Sequence, residues 1–397
     1  MSTRRKLLLP LALLVAASIF VRFVFFGVYI VDSHSMEPTI HGDPQTGERV
    51  LVRYGGGMPE RFDLVVVRVP GEAVPRIKRV GGLPREKVRI EQGDLLINGE
   101  RTAADAPRPE PVLVYDPSLP LEDHFQSREG VGIVGWQHDG NVWRHAHAPG
   151  EPVARLEYAR RLADHYLGPQ GEFIEGSAEV GDAWIGAALA LEDSASRARL
   201  GVAAQGDRFL AWIGVDSAGR RRVRLISLPI PGPADPAPEP ETLAEQVLVV
   251  APGSHEWVLG RVDGRVELWF DGKRVLNHIY GVPRRHPLDL FGEGRSRGPR
   301  VWLEAGGGDV ALFGLRLWRD LHYTARGTEA VREELQLGPQ ELFLLGDHSA
   351  HSRDSRDWGP LRLDQILGRP LWVVRPLARA RALNGAVQWV PRVLEGE

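Results

Sequence analysis

The chain begins with an apolar segment. Three basic residues at positions 4 to 6 precede a largely apolar run from Leu7 to Val21, and after Arg22 a second apolar stretch runs from Phe23 to Val31. A run of about 15 residues is short for a membrane span, but Arg22 can extend its charged end toward the lipid headgroups, and the flanking aromatic residues suit the interface. The pattern predicts a transmembrane helix that anchors the chain over residues 7–29.

The basic residues lie before this apolar segment, and no cluster of comparable density lies just after it. The positive-inside rule then predicts residues 1–6 in the cytoplasm, one pass through the membrane, and the chain from about residue 32 onward on the outer side. A cleaved secretory signal has the same basic start and a short apolar core, but no clear cleavage site between small residues follows here. We therefore expect a retained anchor.

After this segment, short stretches of alternating apolar and polar positions predict strands. Arg61–Val69 is rich in β-branched residues, and the stretch from Arg76 to Pro84 places Lys78 and Val80 on one face of a strand. Lys78 is therefore able to point into a core.

A second series of strands fills the middle of the chain. Alternation predicts strands at Ala188–Leu191, Phe209–Val215, Arg222–Leu228, Gln246–Val250, His255–Val262, Val266–Phe270 and Val301–Ala305. The Asp-Gly pairs at 263–264 and 271–272 are typical of two-residue hairpin turns. We expect these strands to close as a β-sandwich.

Composition narrows the possibilities further. A chain of 397 residues predicts at least two folding units, and 45 glycines with 30 prolines favour a mostly β fold. The 49 basic and 52 acidic residues give a net charge of −3, which does not favour nucleic acid as a partner. The chain has no cysteine, so thiolate chemistry, cysteine-bound metal and disulfides are excluded.

Two serines two positions apart follow the apolar segment directly. Ser33 and Ser35 are held close together, and Pro38 stiffens the turn after them. An arbitrary Ser-x-Ser most often caps a turn, so this pair alone does not indicate a nucleophile.

Lys78 is the second candidate for chemistry. The pKa of a lysine is ordinarily about 10.4, but burial can lower it by about 3 units and leave a neutral amine able to take a proton from a serine. The alternative is a solvated lysine on a strand.

A third polar segment, Gly346–Pro360, follows the apolar strand Leu342–Leu345 and is dense in Asp, Ser and Arg. Carboxylates that accept from backbone amides and guanidinium groups predict a rigid loop. His348 and His351 lie three apart in it, but no carboxylate is spaced with them for a metal site. We expect neither a metal nor a cofactor.

Four motifs occur in one order along the chain. They read Ser-Met-x-Pro-Thr, Arg-x-Asp before an apolar strand, Ile-Lys-Arg-Val-x-Gly-Leu-Pro, and Gly-Asp-x-Ser-x-x-Ser-x-Asp-Ser-Arg-x-Trp-Gly. In this order, behind an apolar anchor, they resemble the bacterial type I signal peptidases, which are serine peptidases with a Ser/Lys dyad. The resemblance covers roughly residues 1 to 100 and 325 to 378, and the middle of the chain takes no part in it.

The resemblance implies that Ser35 is the nucleophile and Lys78 the general base. The Ser33 hydroxyl and the Ser35 backbone N–H would form the oxyanion hole, and Ser352 would orient the lysine amine. Three residues are implied to hold the loop of the site: Asp347, Asp354 and Arg356. His348 departs from the family, which has asparagine there, and Phe62 replaces the glycine of Arg-Gly-Asp.

The implied function is that of a membrane-bound endopeptidase. It would remove N-terminal signal peptides from exported preproteins after small residues in the pattern Ala-x-Ala, on the outer side of the bacterial cytoplasmic membrane. Its implied partners are exported preproteins and the lipid bilayer.

The same resemblance divides the chain into domains. The catalytic β-fold would occupy residues 30–100 and 323–397, an inserted sandwich residues 171–322, and the connection 101–170 is unassigned. The strand rhythm of the insertion, from Trp257 onward, resembles the jelly-roll domains of concanavalin A-like lectins and glucanases. Four of its tryptophans could stack on envelope glycan, although tryptophans of a sandwich more often lie in the core: Trp212, Trp257, Trp269 and Trp302.

Two alternatives remain open. One is a membrane-tethered protein that binds envelope glycan through the insertion and keeps the peptidase elements as an inactive scaffold. The other is a self-cleaving regulator with the same dyad, against which the anchor and the lack of a helix-turn-helix pattern before Ser35 both count.

Overall fold

The computed structural model describes residues 24–394, with gaps at 56, 102–105, 128–134, 140–141, 147–152, 205–206, 216–217, 219, 229–238, 281–299 and 384. The described chain is mostly β, as predicted. The residues before 24 include most of the predicted anchor and all of the predicted cytoplasmic N-terminus, which therefore lie outside the described part. Among the residues described, no helix has the length and apolar character needed to cross a membrane.

The strands follow one another in three groups along the chain. The first group is β1 Phe26–Ile30, β2 Arg49–Tyr54, β3 Leu64–Val67, β4 Arg76–Gly82, β5 Lys87–Glu91, β6 Asp94–Ile97 and β7 Glu100–Arg101. The second group is β8 Val112–Tyr115, β9 Phe125–Gln126, β10 Gln137–Asp139, β11 Val142–His145, β12 Ala154–Tyr158, β13 Tyr166–Leu167, β14 Phe173–Ile174, β15 Ala183–Leu191, β16 Arg197–Ala204, β17 Asp207–Val215, β18 Arg221–Ser227, β19 Glu241–Leu248, β20 Ser254–Val262, β21 Arg265–Phe270, β22 Lys273–Ile279, β23 Arg300–Gly306 and β24 Val310–Arg319. The third group is β25 Leu335–Gln336, β26 Glu341–Leu345, β27 Leu361–Arg362, β28 Ile366–Arg375 and β29 Arg381–Ala382.

The described helical segments are short. They are the α-helices α1 Leu121–His124 and α2 Ser355–Trp358 and the 3₁₀ turns His34–Met36, Ser349–His351, Leu363–Gln365 and Leu377–Arg379.

The chain forms two compact units. The first comprises residues up to Glu110 together with His322–Gln388, and the second comprises Pro111–Leu321 together with the residues from Trp389. Each unit is therefore discontinuous in sequence, and the second is inserted into the first.

The first unit is built on an antiparallel sheet in the order β1-β2-β28-β3-β4-β26-β27, with β29 paired to β28. Apolar residues cover both faces: Val50, Val52 and Val66 pack with Met36 and Ile40 on one side, and Val65, Val67 and Val80 pack with Leu342 and Leu344 on the other. A smaller sheet, β25-β5-β6-β7, lies in the same unit. Because the central strands are buried on both faces, a side chain on β4 is removed from water.

The second unit is a sandwich of two sheets. The described strands pair in the orders β10-β11-β24-β15-β20-β21-β22, with β8 paired to β24, and β19-β18-β17-β16-β23-β12-β9. One apolar cluster draws residues from both sheets, including Ile185 and Leu259 from one and Leu200 and Leu303 from the other. The predicted sandwich is confirmed by this shared core.

Both predicted hairpin turns are confirmed. Val262 pairs with Arg265 across Asp263-Gly264, and Phe270 pairs with Lys273 across Asp271-Gly272. The four turn residues have positive φ, with 48° and 74° at the first turn and 44° and 73° at the second, as a type I′ turn requires.

The domain boundaries differ from the predicted ones. The connection 101–170, left unassigned from sequence, contributes β8, β9, β11 and β12 to the sandwich sheets, and Trp136 lies in its core. Residues 389–394 also belong to the second unit, where Trp389 contacts Trp184 and Trp318. The sequence signal was weak because these strands are short and irregularly spaced.

The end of the predicted anchor is also corrected. Phe26–Ile30 is not helical but pairs with β2 as an antiparallel strand. The β-branched and aromatic residues there fit a strand, so the predicted helix boundary at residue 29 lies too far along the chain.

Two of the four tryptophans considered for sugar stacking are buried. Trp257 and Trp302 are 1% and 3% exposed, whereas Trp212 and Trp269 are half-buried. The burial of Trp257 and Trp302 agrees with a core role.

Candidate active site

The predicted nucleophile lies on a short 3₁₀ turn, His34–Met36, in the first unit. Ser33 precedes the turn in an extended conformation and its hydroxyl does not cap it. Glu37 ends the turn and is also extended, because the ring of a following proline disfavours helical backbone angles in the residue before it. Met36 is 1% exposed and anchors the turn in the core, which leaves Ser35 at the surface of that core with 9% exposure.

Lys78 lies on β4 directly opposite Val65 of β3 and is 1% exposed. Its inward orientation was predicted and is confirmed. The Nζ atom lies 2.7 Å from Ser35 Oγ and 3.2 Å from Ser352 Oγ. Loss of hydration on burial lowers the pKa of Lys78 to about 8, although the carboxylates of Asp354 and Asp347 partly oppose the shift.

The close approach of these groups requires a glycine at position 346. A Cβ built on Gly346 would lie 2.1 Å from Ser352 Oγ and 2.5 Å from the Ser35 carbonyl oxygen. Because Gly346 directly follows β26, the missing side chain lets the loop after that strand pass against the nucleophile turn.

Asp354 fixes the shape of that loop. Its carboxylate accepts from the backbone N–H of Gly346 at 2.9 Å and from the Arg356 guanidinium at 2.8 and 2.7 Å. Asp354 also caps α2 and is almost fully buried. Burial alone would raise the pKa of Asp354, but the hydrogen bonds and charge of Arg356 outweigh it, together with bonds from Gly346 and Ser352, and hold the pKa below its usual range.

The hydrogen-bond directions around Ser352 constrain the lysine. Asp354 is ionised and can only accept, so the Ser352 hydroxyl gives its proton to Asp354. The lone pairs of Ser352 Oγ then accept an N–H from Lys78. A neutral Lys78 amine that donates one N–H to Ser352 keeps a lone pair that can accept the proton of Ser35 Oγ, 2.7 Å away.

Asp347 is held by a residue that the sequence reasoning did not select. Arg79 donates to both carboxylate oxygens of Asp347 at 2.7 and 2.6 Å, and both side chains are buried. Thr39, three residues after Met36, also donates to Asp347 at 2.5 Å. Burial disfavours the charge of Arg79, but Asp347 outweighs it and holds the pKa of Arg79 above its ordinary value.

A signal for Arg79 was present in the sequence. It lies next to Lys78 in the Ile-Lys-Arg motif, and strand alternation predicts that it points to the opposite face of the strand from Lys78. In the structure Arg79 lies on β4, in register with Leu64 of β3 and Leu345 of β26. An apolar strand that carries an arginine requires a buried carboxylate, and Asp347 was the available one.

The two histidines of the loop contact each other. His351 Nδ1 lies 2.9 Å from His348 Nε2, and His348 Nδ1 lies 3.2 Å from the carbonyl oxygen of His34. His348 thus contacts the nucleophile turn. The hydrogen bonds of the Lys78 amine go instead to Ser35 and Ser352.

The arrangement has a definite chemical capability. A hydroxyl within hydrogen-bond distance of a buried amine with a lowered pKa can be deprotonated as it attacks an electrophile. Hydrogen bonds join five of the predicted residues from two distant segments: Ser35, Lys78, Ser352, Asp354 and Arg356. Ser33 and Asp347 lie in the same unit, and the hydrogen bonds described for Asp347 come from Arg79 and Thr39.

Solved structures resemble this chain over about half its length. A carbohydrate-binding module of Bacillus subtilis is 8% identical, with a TM-score of 0.31, and the match covers 49% of this chain and 95% of that one.

Similar sequences are found over part of the chain. Signal peptidase I S of Bacillus subtilis is 32% identical over 111 residues, which are 28% of this chain and 55% of that protein. Signal peptidase I of Bacillus amyloliquefaciens is 29% identical over 120 residues, which are 30% of this chain and 60% of that protein. The chain thus spans little more than half the length of these relatives.

A family model also matches two segments of the chain. The model described as signal peptidase, peptidase S26, matches residues 4–129 and 308–374. These ranges contain Ser35 and Lys78 on one side of the inserted unit and the Gly346 loop on the other. The segments that build this site therefore match the signal peptidase family, peptidase S26.

Proposed function

We propose that this protein is a signal peptidase, a serine endopeptidase that removes N-terminal signal peptides from exported preproteins, with Ser35 as nucleophile and Lys78 as general base. One observation carries the proposal: the buried Lys78 amine, with a pKa lowered to about 8, lies 2.7 Å from the Ser35 hydroxyl. At pH 7 roughly a tenth of such lysines are neutral, whereas a solvated lysine is almost entirely protonated.

In the first step, neutral Lys78 takes the proton of Ser35 while Oγ attacks the scissile carbonyl carbon. Negative charge then develops on the carbonyl oxygen, and the Ser33 hydroxyl and Ser35 backbone N–H are the proposed donors to it. Collapse of the intermediate breaks the C–N bond. The protonated Lys78 gives its proton to the leaving amine, and the acyl group stays on Ser35.

In the second step, a water attacks the acyl group and Lys78 takes one of its protons. Collapse of the second intermediate returns that proton to Ser35 and releases the signal peptide with a new C-terminal carboxylate. Ser352 keeps the amine directed at the reacting atoms through both steps, because its own proton is committed to Asp354.

The preference for small residues, in the pattern Ala-x-Ala, rests on the resemblance of the motifs to signal peptidases. An extended peptide segment can add to a strand edge by main-chain hydrogen bonds, which suits a substrate that is unfolded near its cut.

The proposal is tested by cleavage of a preprotein with an Ala-x-Ala site. The full chain in detergent should release a mature protein with one new N-terminus, and Ser35→Ala and Lys78→Ala should abolish release. Cleavage at an unrelated site, or cleavage by both variants that is undiminished relative to the parent, would disprove the proposed assignment.

We further propose that the first unit works at a membrane surface. One row of side chains crosses three strands, Val28 of β1, Leu51 of β2 and Trp372 of β28, in direct register. Val28 and Trp372 are 46% and 50% exposed, so this row presents apolar side chains at the surface.

Exposed arginines flank this row on the same strands. Arg49 and Arg53 of β2 and Arg375 of β28 are exposed. An apolar row with cationic neighbours is complementary to a bilayer with anionic headgroups. The apolar N-terminal segment, which precedes β1, would place this face at the bilayer.

The absence of cysteine allows the side of the membrane to be tested directly. Single cysteines at Ser2 and at the exposed Asp364 can be probed with an impermeant maleimide in intact spheroplasts. Asp364→Cys should be labelled at once and Ser2→Cys only after permeabilisation. The reverse pattern would place the site on the cytoplasmic side.

A further inference from the structure

Two 3₁₀ turns meet at the nucleophile, and a histidine joins them. The turn His34–Met36 carries Ser35, and the turn Ser349–His351 follows His348. His348 makes two hydrogen bonds to the first turn: its backbone N–H donates to the Ser35 carbonyl at 3.2 Å, and its Nδ1 lies 3.2 Å from the His34 carbonyl. His348 therefore contacts both carbonyl groups that flank the serine Cα.

The hydrogen-bond partners decide the protonation of the ring. A carbonyl oxygen can only accept, so Nδ1 of His348 carries the proton that it donates to His34. In the neutral ring Nε2 is then an acceptor, and His351 Nδ1, 2.9 Å away, donates to it. The His34 carbonyl also accepts from the Glu37 backbone N–H at 3.1 Å, which its two lone pairs allow.

The His34 carbonyl belongs to the same peptide unit as the Ser35 N–H. That unit is planar, and its C=O and N–H point in opposite directions because the bond is trans. A donor that holds the carbonyl oxygen on one side fixes the direction of the N–H on the other. Donation to the carbonyl also polarises the amide and strengthens its N–H as a donor.

We propose that His348 is a positioning residue for the oxyanion hole: it holds and polarises the His34–Ser35 peptide so that the Ser35 N–H is aimed at the developing oxyanion, while His351 holds the His348 ring. This inference rests on the proposed function, in which Ser35 N–H stabilises the oxyanion. It assigns a role to the side chains of His348 and His351, which have no part in the proposed roles of the Ser35–Lys78 dyad or of the residues that hold the loop.

The ring geometry provides a matched set of variants. Asparagine places its Nδ2 donor at the same bond distance from Cα as histidine Nδ1, so His348→Asn can still donate to His34. His348→Leu has comparable bulk and no donor. His351→Leu removes the second ring and leaves both bonds from His348 to the nucleophile turn in place.

Steady-state cleavage of the Ala-x-Ala preprotein by the full chain should separate these roles. We expect His348→Leu to lower kcat about tenfold with KM unchanged, because one hydrogen bond to a charged transition state is weakened. His348→Asn should recover kcat to within about twofold of the parent, and His351→Leu should lower kcat by about twofold or less. The pH midpoint of activity, assigned to Lys78, should be the same in all four proteins.

Three results would overturn the proposal. Equal kcat values for His348→Leu and His348→Asn would show that the donor does not matter, and a change in KM instead of kcat would indicate substrate binding. A shifted pH midpoint would show that His348 itself transfers a proton.

A second measurement does not depend on activity and separates failure of this inference from failure of the proposed function. In the full chain labelled with ¹⁵N-histidine and ¹⁵N-serine, NMR should show His348 protonated at Nδ1. The Ser35 amide proton should shift upfield in His348→Leu and not in His348→Asn. If the parent cleaves nothing but these shifts are seen, the signal peptidase assignment fails and the contact stands. If Nδ1 is unprotonated or the Ser35 shift does not move, the inference fails whatever the activity.

Discussion

Gly346 shows how closely the residues of the site are packed. Its hydrogen atom occupies the place where a Cβ would overlap Ser352 Oγ and the Ser35 carbonyl oxygen, at 2.1 and 2.5 Å. Ser352 can rotate its hydroxyl away, but the Ser35 backbone cannot move without the turn that Met36 anchors. The separation of Lys78 and Ser35 therefore depends on the absence of a side chain.

Gly346→Ala should lower kcat by at least about a hundredfold, since displacement of catalytic groups by about 1 Å has effects of that size. The fold should persist, because the clash is confined to the loop and the nucleophile turn. The measurement is kcat together with the melting temperature of the variant. A fully active Gly346→Ala protein would contradict the packing described for the site.

The pKa of Lys78 gives the pH dependence of the reaction. Because burial lowers it to about 8, and the base is the unprotonated form, kcat/KM should rise about tenfold per pH unit below pH 8 and level off above it. A pH profile of kcat/KM from 6 to 10 measures this. A plateau already reached at pH 6.5 would point to a base other than Lys78.

The residues of the site were predictable to different degrees. Ser35, Lys78 and Ser352 were predicted from motifs in which the type of residue at each position indicates its chemical role. Arg79 and Thr39 were not selected, because their role is to pair with Asp347 and that pairing joins segments far apart in the chain. The contact between His348 and the His34 carbonyl depends on backbone direction, which a residue pattern does not contain.

At the scale of elements, β4 carries the chemistry because it is buried on both faces. It presents Lys78 toward Ser35 and, one residue on, Arg79 toward Asp347. The second pair is an ion pair with both side chains at 2% exposure or less. Removing one partner of such a pair leaves the other charge buried without compensation.

Asp347→Asn should therefore destabilise the first unit by roughly 3–5 kcal/mol. The matched control is Asp364→Asn, which alters an ion pair with Arg362 whose side chains are 67% and 58% exposed, and it should cost less than about 1 kcal/mol. Denaturant unfolding measures both. Equal effects of the two substitutions would mean that Asp347 does not compensate Arg79.

In the sandwich unit, the hydrogen bonds of His165 beside β13 and β14 depend on the protonation of its ring. Its Nε2 donates to the Arg161 carbonyl at 2.9 Å and its Nδ1 accepts from the Gly176 N–H at 2.8 Å, so the ring fits only when neutral. Burial lowers the pKa of His165 below its ordinary value of 6.5. The unfolded form therefore takes up a proton more readily, and stability is present above about pH 6.5 and decreases below it.

Hydrogen exchange at the Gly176 amide should report this effect. After correction for intrinsic rates, its protection should fall below pH 6.5 by at most about tenfold per pH unit. His165→Asn, whose Oδ1 can accept from Gly176, should weaken the pH dependence; some will remain because burial also lowers the pKa of His124. Protection that is constant from pH 7 to pH 5 would exclude His165 as the cause.

The strands themselves were predictable where alternation was regular. Between Ala188 and Ala305, each of the seven predicted strands overlaps an observed one, but β16 and β22 were not among the predicted strands. The strands β8 to β12 were missed because they are two to five residues long, too short for a periodic pattern to be recognised.

At the scale of the whole molecule, the sandwich unit is inserted in the sequence between the two segments that build the site. Ser35 and Lys78 precede the second unit in sequence, and Gly346 to Arg356 follow it. The order of these parts was predicted, but the boundaries of the units were not. The segment from Pro111 and the residues from Trp389 belong to the sandwich unit because they pack against residues that are distant in sequence. The first unit nonetheless has its own sheet and its own apolar clusters on both faces.

The central claim is that Ser35 becomes acylated with the help of Lys78, and trapping the acyl group tests it most directly. The full chain would be incubated with an Ala-x-Ala peptide that ends in an activated ester, quenched in acid, and mapped by mass spectrometry of its fragments. The account predicts one acyl adduct, on Ser35, at pH 9, with at least about a hundredfold less in Lys78→Ala. An adduct on another residue, or equal labelling of Ser35 when Lys78 is absent, would contradict it.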